Sequence, residues 1–282
     1  MENIITIRNL NCSYDGSRVV LNIKHLDIPR GKIIFFVGPS GIGKSTILET
    51  LGFMNNTMLP SSDTKFDFDS DGSPIDMLRC WQWSDDRQAQ FRNHYYSFIF
   101  QQTNLMPNFS CYENVMSTGL IQGMSQREAR SRATNIIEQM NLPTDDRPIS
   151  AYSGGQQQRI AFARAILPNF RILFADEPTG NLDHHQAQNL MQTLTEQLRG
   201  KGNSTSAVIV SHDMNLAVTF ADIIVQIAKC NTDDGYTMGV IGQESIYTKN
   251  GVGEWTDSTG YVYKMTDCMV NELETKLNDE ML

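Results

Sequence analysis

Cysteine is scarce and scattered. The five in 282 residues (Cys12, Cys80, Cys111, Cys230, Cys268) are odd in number and form no CxxC pair. That argues against a disulfide framework or a zinc site and fits a reducing compartment. No run of eighteen apolar residues occurs, so no transmembrane helix is expected. The opening MENIITIRNL is short of apolar length, which predicts that it is not a signal peptide. Positive charge is in deficit, with 23 Lys and Arg against 32 Asp and Glu, a net charge of −9. The deficit is concentrated in residues 231–282, where three Lys face ten Asp or Glu, or −7; the other 230 residues sum to −2. A nearly neutral body with an acidic tail is a poor non-specific binder of nucleic acid or anionic lipid. Internal repeats and low-complexity tracts are missing as well. What is present is 40% apolar and 9% aromatic residues, enough to bury a core in one large domain or a domain with a small appendage.

Along the chain, residues 4–7 and 19–21 read as short strands, followed by a turn at Pro29, Arg30 and Gly31. KIIFFVG, YYSFIFQ (95–101), RILFADEP (171–178), AVIVSHD (207–213) and DIIVQIA (222–228) are unbroken apolar runs, the pattern of strands buried on both faces. Between them lie helical stretches: ILETLGF, SQREARSRATNIIEQM and residues 184–199. In the second, Ser125 and Glu128 read as a capping box, with Ala129, Ala133, Ile136, Ile137 and Met140 on one face. In the third, Ala187, Leu190, Met191, Leu194 and Leu198 face inward. This alternation predicts an α/β fold with a mainly parallel sheet covered by helices. Residues 55–90 read as polar and irregular. The tail beyond about 231 is Gly- and Thr-rich, with VIGQESIY and GYVYKM as possible strands. Its helix-like end, about 266–280, sets Val270, Leu273, Leu277 and Met281 close to one face.

Residues 38–45 match GxxxxGK[ST], the P-loop, placed after a buried strand and before a helix. Its glycines let backbone N–H groups turn onto phosphates, and the helix start adds partial positive charge. Lys44 suits neutralising phosphate oxygens and Ser45 suits ligating Mg²⁺. Asp176 and Glu177, at the end of an apolar strand, would face the same crevice. Asp176 suits the surroundings of Mg²⁺, and Glu177 a base that polarises an attacking water. YSGGQQQR (152–159) forms a second glycine-bearing helix start. It reads either as a phosphate site shared between two subunits or as a plain helix cap made by Ser153.

The set GPSGIGKST, FIFQQTNL, YSGGQQQR, FADEPTGNLD and VSHD, in that order, resembles the nucleotide-binding subunit of ABC transporters over about residues 3–230. The resemblance implies a P-loop ABC ATPase domain (1–230) with a mainly parallel core sheet, an antiparallel β subdomain supplied by the N-terminal strands, and a helical signature subdomain at about 103–168. An acidic C-terminal extension (231–282) would follow. It implies ATP and Mg²⁺ as cofactors and Lys44, Gln101, Glu177 and His212 as the catalytic set. Ser45, Gln101 and Asp176 would hold the metal. Tyr14 would stack on adenine. Gly38, Pro39, Ser40, Gly41, Ile42, Gly43, Lys44, Ser45 and Thr46 would cradle the phosphates. Ser153, Gly154, Gly155 and Gln156 would close over the nucleotide of the opposite protomer, beside the D-loop aspartate Asp183.

Within that family, QQTNLMPNFSCYENV and DEPTGNLD resemble the ATPases of lipoprotein-releasing systems, macrolide exporters and the cell-division mechanotransmission group. That implies a homodimer driving separate integral membrane subunits, from the cytoplasmic face of the inner (plasma) membrane, with no nucleic-acid partner. The groove for the membrane subunit would lie near Gln101 and residues 105–113. An importer ATPase, or a regulator of a periplasmic enzyme that moves no cargo, would fit the same motifs. A repair ATPase fits poorly, because only 107 residues separate Ser45 from Tyr152, with no coiled coil between. Three features depart from the pattern: a longer stretch between Lys44 and Gln101, Tyr152 in place of the signature's usual leucine, and the length of the tail. DxDxDG at 67–72 superficially resembles a calcium loop but has Leu78 at the twelfth position, so an acidic turn is expected.

Overall fold

The computed structural model describes residues 2–69, 71–144, 147–180, 182–200, 204–232, 234–264 and 266–279. The N-terminal part holds β1 (Asn3–Cys12), β2 (Leu21–Pro29), β3 (Ile33–Val37), α1 (Lys44–Leu51), β4 (Met58–Asp69), β5 (Pro74–Asp76), α2 (Met77–Cys80), α3 (Asp85–Tyr95) and β6 (Tyr96–Ile99). A helical region follows, with α4 (Cys111–Ile121), α5 (Gln126–Gln139) and α6 (Gly154–Ile166). The chain then alternates through β7 (Ile172–Asp176), α7 (His184–Gly200), β8 (Ser206–Val210), α8 (Met214–Phe220) and β9 (Ile223–Gln226). It ends in β10 (Ala228–Asn231), β11 (Thr237–Ile241), β12 (Ile246–Lys249), β13 (Trp255–Thr256), β14 (Val262–Tyr263) and α9 (Thr266–Asp279).

Among the described residues the strands form two sheets. The core sheet runs β14-β13-β12-β9-β3-β8-β7-β6, and the second runs β10-β11-β2-β1-β4-β5. From β9 to β6 every core pairing is parallel, and β12, β13 and β14 add antiparallel strands beyond β9. The apolar runs are explained by two-sided burial. Ile33, Phe35, Val37, Leu173, Ala175, Ala207 and Ile209 face the helices α4 to α9. Their alternates Ile34, Phe36, Phe174, Val208 and Val210 face α1 and the second sheet. The strand period of two sends successive side chains into two separate cores.

Residues 55–90 are not irregular. They form β4, β5, α2 and most of α3. Phe66 and Phe68 alternate inward on β4, while Trp81, Trp83 and Phe91 close edge-on around Phe53. The acidic residues that masked the strand are answered by cations: Asp67 by Lys65, Asp69 and Asp71 by Arg30, and Asp71 also by Arg171. The strand read at 19–21 instead starts at Leu21 and runs nine residues. The Ser125 cap is only half of the expected reciprocal pair. Its hydroxyl accepts from the Glu128 N–H, but the Glu128 carboxylate turns to Arg132 one helical turn on.

The tail is woven into the body. β11 pairs in parallel with β2, β12 pairs antiparallel with β9, and Met269, Val270 and Leu273 of α9 are buried in the helix-side core. Met281 and the side chain of Leu277 lie outside the described residues. Among the described residues no helix is long and apolar enough to cross a membrane.

Candidate functional site

The carboxyl ends of parallel strands in an open α/β sheet are where loops converge and ligands sit. β3 delivers the P-loop there. Gly41 and Gly43 take left-handed φ values of 79° and 103°, which turn consecutive N–H groups toward one concavity and onto the start of α1. No atom stands within 4 Å of where a Gly41 side chain would be, so this part of the loop lines open space. At Gly43 the neighbour is Leu21 of β2, at van der Waals distance.

Gly41, Gly43, Lys44, Ser45, Thr46, Gln101, Asp176 and Glu177 line one cavity of about 310 Å³. Lys44 Nζ donates to the loop carbonyls of Gly38 and Pro39 at 2.8 and 2.7 Å. Its partial burial pulls its pKa down, and the nearby carboxylates of Glu177 and Asp176 pull it back up. Asp176 is pushed above the usual carboxylate range, mainly by burial and then by Glu177, with Lys44 opposing. Glu177 adopts φ 46°, a conformation uncommon for a residue with a side chain. Its N–H bonds to Val210 O, and its O accepts from the Gly180 N–H. Its carboxylate is 14% exposed and lies 2.8 Å from His212 Nδ1, whose own side chain is 72% exposed.

Tyr14 sits beside this cavity. An Asx turn shapes its loop: the Asp15 carboxylate accepts from the N–H groups of Arg18 and Ser17 and from the hydroxyls of Ser17 and Ser13. Those bonds hold Asp15 well below the usual carboxylate range. The Tyr14 hydroxyl donates to Glu49 at 3.0 Å and lies 3.1 Å from the Thr46 hydroxyl, which leaves the ring 54% exposed. A ring pinned at its oxygen and open on its face can stack on a planar base.

The signature stands apart. Ser153 caps α6 in a full capping box with Gln156, at 3.3 and 2.9 Å. Gly154 opens on free space, whereas a side chain on Gly155 would meet the far end of Gln186. Asp183 holds the start of α7 through the Gln186 N–H. None of Ser153, Gly154, Gly155, Gln156 or Asp183 lines the P-loop cavity. The structure thus gathers the P-loop, Gln101, Asp176, Glu177 and His212 in one place and leaves the signature elsewhere on the same chain.

Two residues escaped the motif reading. Glu49, one turn along α1 from Ser45, anchors Tyr14 and adds to the negative field at Asp176. Gln158 is buried, and its Nε2 donates to Pro178 O at 2.9 Å, tying α6 to the segment after Glu177. Its signal was available: Gln158, Ala161, Phe162 and Ala165 share one helical face, so the third glutamine of GQQQR had to point inward.

The donor set fits a nucleotide with its metal. A hydroxyl, a carboxamide and a carboxylate around one cavity are hard oxygen ligands of the kind Mg²⁺ takes, and the glycine cradle with Lys44 suits phosphate.

The family described as ABC transporter matches residues 21–180. The lipoprotein-releasing system ATP-binding protein LolD 1 of Rhodospirillum rubrum is 35% identical over 210 residues, which cover 73% of this chain and 87% of that protein. LolD of Porphyromonas gingivalis is 38% identical over 216 residues, covering 76% and 92%. The macrolide export ATP-binding/permease protein MacB of Vibrio parahaemolyticus is 37% identical over 218 residues, but the chain spans only 31% of its length. Among solved structures, the dimeric bacterial ABC transporter cassette MJ0796 is similar at 30% identity and a TM-score of 0.65, covering 79% of this chain and 93% of that one. With more than half its length inside the family match, and with the two LolD relatives covered over 87% and 92% of their lengths, the chain belongs to the ABC transporter family, as an ATP-binding subunit similar to the LolD proteins.

Proposed function

We propose that the chain is the ATP-hydrolysing motor of a membrane complex, working as a head-to-tail homodimer. The observation that carries this reading is the split site. One chain supplies the phosphate cradle, the carboxylate pair and His212, while its own signature helix start does not line that cavity. A second copy turned by a two-fold axis would bring Ser153, Gly154, Gly155 and Gln156 over the nucleotide, with Asp183 at the seam. The dimeric relative supports that arrangement.

In this reading Tyr14 stacks on adenine, and the loop N–H groups from Ser40 to Thr46 hold the phosphates. Lys44 leaves the Gly38 and Pro39 carbonyls to neutralise phosphate oxygens. Ser45, Gln101 and Asp176 would hold Mg²⁺, which would spread the negative charge of the phosphates. Glu177 Oε2 orients the attacking water and accepts its proton, while His212 keeps that carboxylate aimed. The strained backbone at Glu177 fits a residue whose direction matters more than its ease of folding.

The force would pass to a separate integral membrane subunit. A depression of about 600 Å³ lined by Phe109, Tyr112, Glu113, Met116 and Arg130 adjoins the predicted contact segment at 105–113. The names of the similar LolD and MacB proteins favour export or mechanotransmission over import, with the chain peripheral on the cytoplasmic face of the inner membrane. The test is Mg²⁺-dependent ATPase activity together with tagged-chain purification from membranes. A chain that binds no ATP, or purifies with no integral membrane protein under mild detergent, would refute it.

A further inference from the structure

Beyond the part matched by the family, β12 and α9 converge on the short helix that follows His212. α8 is held at both ends. Its own Asp213 caps the N-terminus by accepting from the Leu216 N–H at 3.0 Å. At the other end the cap comes from the tail. Lys249, the last residue of β12, donates from Nζ to Val218 O and Thr219 O at 2.9 and 3.0 Å. A cation on the last carbonyls of a helix satisfies orphan acceptors and opposes the negative end of its dipole. Burial pulls the Lys249 pKa down, with Asp222 opposing, so the ammonium is placed at a cost that a surface lysine avoids.

The same module reaches the nucleotide side by another route. Lys276 of α9 donates to the Tyr247 hydroxyl, and Tyr247 donates to Gln226 Oε1 at 3.3 Å. Gln226 pairs with Val37, the residue just before the P-loop, and the Ile227 N–H bonds to Val37 O. Leu216, Ala217 and Val218 of α8 are buried in the same core as Tyr247, Trp255, Met269 and Leu273 of the tail.

We propose that the β12–α9 segment is a positioning brace for hydrolysis, in which Lys249 clamps α8 and so fixes how His212 is presented to Glu177. This rests on the ATPase reading of the site. Lys249 touches neither nucleotide nor Glu177, so it is a positioning residue. A rigid α8 fixes the chain immediately after His212, whose 72%-exposed ring is otherwise held by its bond to Glu177. Loosening the far end of a seven-residue helix frees its near end, because so short a helix has no stability of its own.

The test compares wild type, Lys249→Met, Lys249→Arg and Lys276→Met in the full chain with its membrane partner. Methionine keeps the apolar stem and removes the charge. Lys249→Met is expected to lower kcat about three- to tenfold while ATP affinity stays within about twofold, since a helix-terminal cation is worth up to about one decade. The His212 ring proton signals should shift or broaden in the same variant. Lys249→Arg, which donates to the same carbonyls, should restore both. Lys276→Met leaves the α8 cap in place and should lower kcat about two- to threefold, which keeps the proposal testable if Lys249→Met does not fold. Unchanged kcat in either methionine variant overturns the brace, as does a fall in affinity matching the fall in kcat. A wild-type protein that hydrolyses no ATP would refute the ATPase reading itself, a different failure.

Discussion

Replacing Glu177 by glutamine isolates one atom's worth of chemistry. The carboxylate is nearly buried, faces the P-loop cavity and accepts from His212 Nδ1 at 2.8 Å. Glutamine keeps the volume and one oxygen for that contact but cannot take a proton from water. Loss of a positioned base costs about 10²–10⁴ in rate, or ~3–5 kcal/mol in barrier at 1.36 kcal/mol per decade. Binding should not suffer. Gly41, Lys44, Ser45 and Thr46 are untouched, and removing one negative charge beside Asp176 and Lys44 makes the cavity more receptive to a polyanion. The variant is therefore expected to hold ATP at least as tightly as wild type and to accumulate as a nucleotide-bound dimer. Single-turnover hydrolysis of γ-labelled ATP measures the first effect and light scattering with and without ATP the second. Turnover within about tenfold of wild type would remove Glu177 from the role of base, because that loss is smaller than any positioned base supplies.

Asp176→Asn should stabilise the fold at neutral pH while abolishing Mg²⁺-dependent hydrolysis. The folded-state pKa of Asp176 is raised, so its ionisation is disfavoured on folding. Its contribution to stability therefore falls as pH rises from the ordinary carboxylate pKa through the raised one, and denaturation midpoints above that window should increase in the variant. Gly239→Ala should weaken ATP binding without touching a nucleotide motif, because a methyl there would run into the Ile42 carbonyl of the P-loop; unchanged affinity by equilibrium dialysis would refute this. Lys44→Ala and Ser153→Arg chains, each inactive alone, should when mixed bind more ATP than the sum of the two separately. Binding no greater than that sum would exclude the head-to-tail site. Leu273→Ala, in the buried face of α9, should cost about 2–5 kcal/mol in chemical denaturation. A change under 1 kcal/mol, the scale of a surface substitution, would mean that α9 does not share the main core.

The central strands and the P-loop cavity were legible because their signals are local. Two-sided burial writes itself as IIFFV, ILFAD and AVIV, and the chemistry needs fixed residues at fixed spacing. The β4 strand was hidden by a different balance. Its inward residues are only Phe66 and Phe68, and its acids Asp67 and Asp69 answer Lys65 and Arg30, of which only Lys65 is a sequence neighbour. The tail strands were hard to read because two to five residues carry almost no periodicity, and β11 is held by β2, more than two hundred residues back in the chain. Likewise the separation of the signature from the cavity is a matter of three-dimensional placement that no spacing encodes, and the half-made cap at Ser125 was decided by the competing cation Arg132.

The parallel pairing of β11 with β2 sets an order of assembly. Residues 237–241 complete a sheet whose other members begin at Asn3, so the loop closed by that pairing spans more than two hundred residues. Closing so long a loop adds little to the equilibrium cost, which grows only with the logarithm of length, but non-local pairings of this kind slow folding. On a ribosome, the P-loop would emerge long before the strand that Gly239 sets against Ile42. A grip on nucleotide that depends on that contact is therefore acquired late, after the helical region and most of both cores have formed. Refolding followed by nucleotide fluorescence should consequently lag behind refolding followed, in a Trp255→Phe chain, by the tryptophans Trp81 and Trp83, which belong to the early, sequence-local half of the molecule.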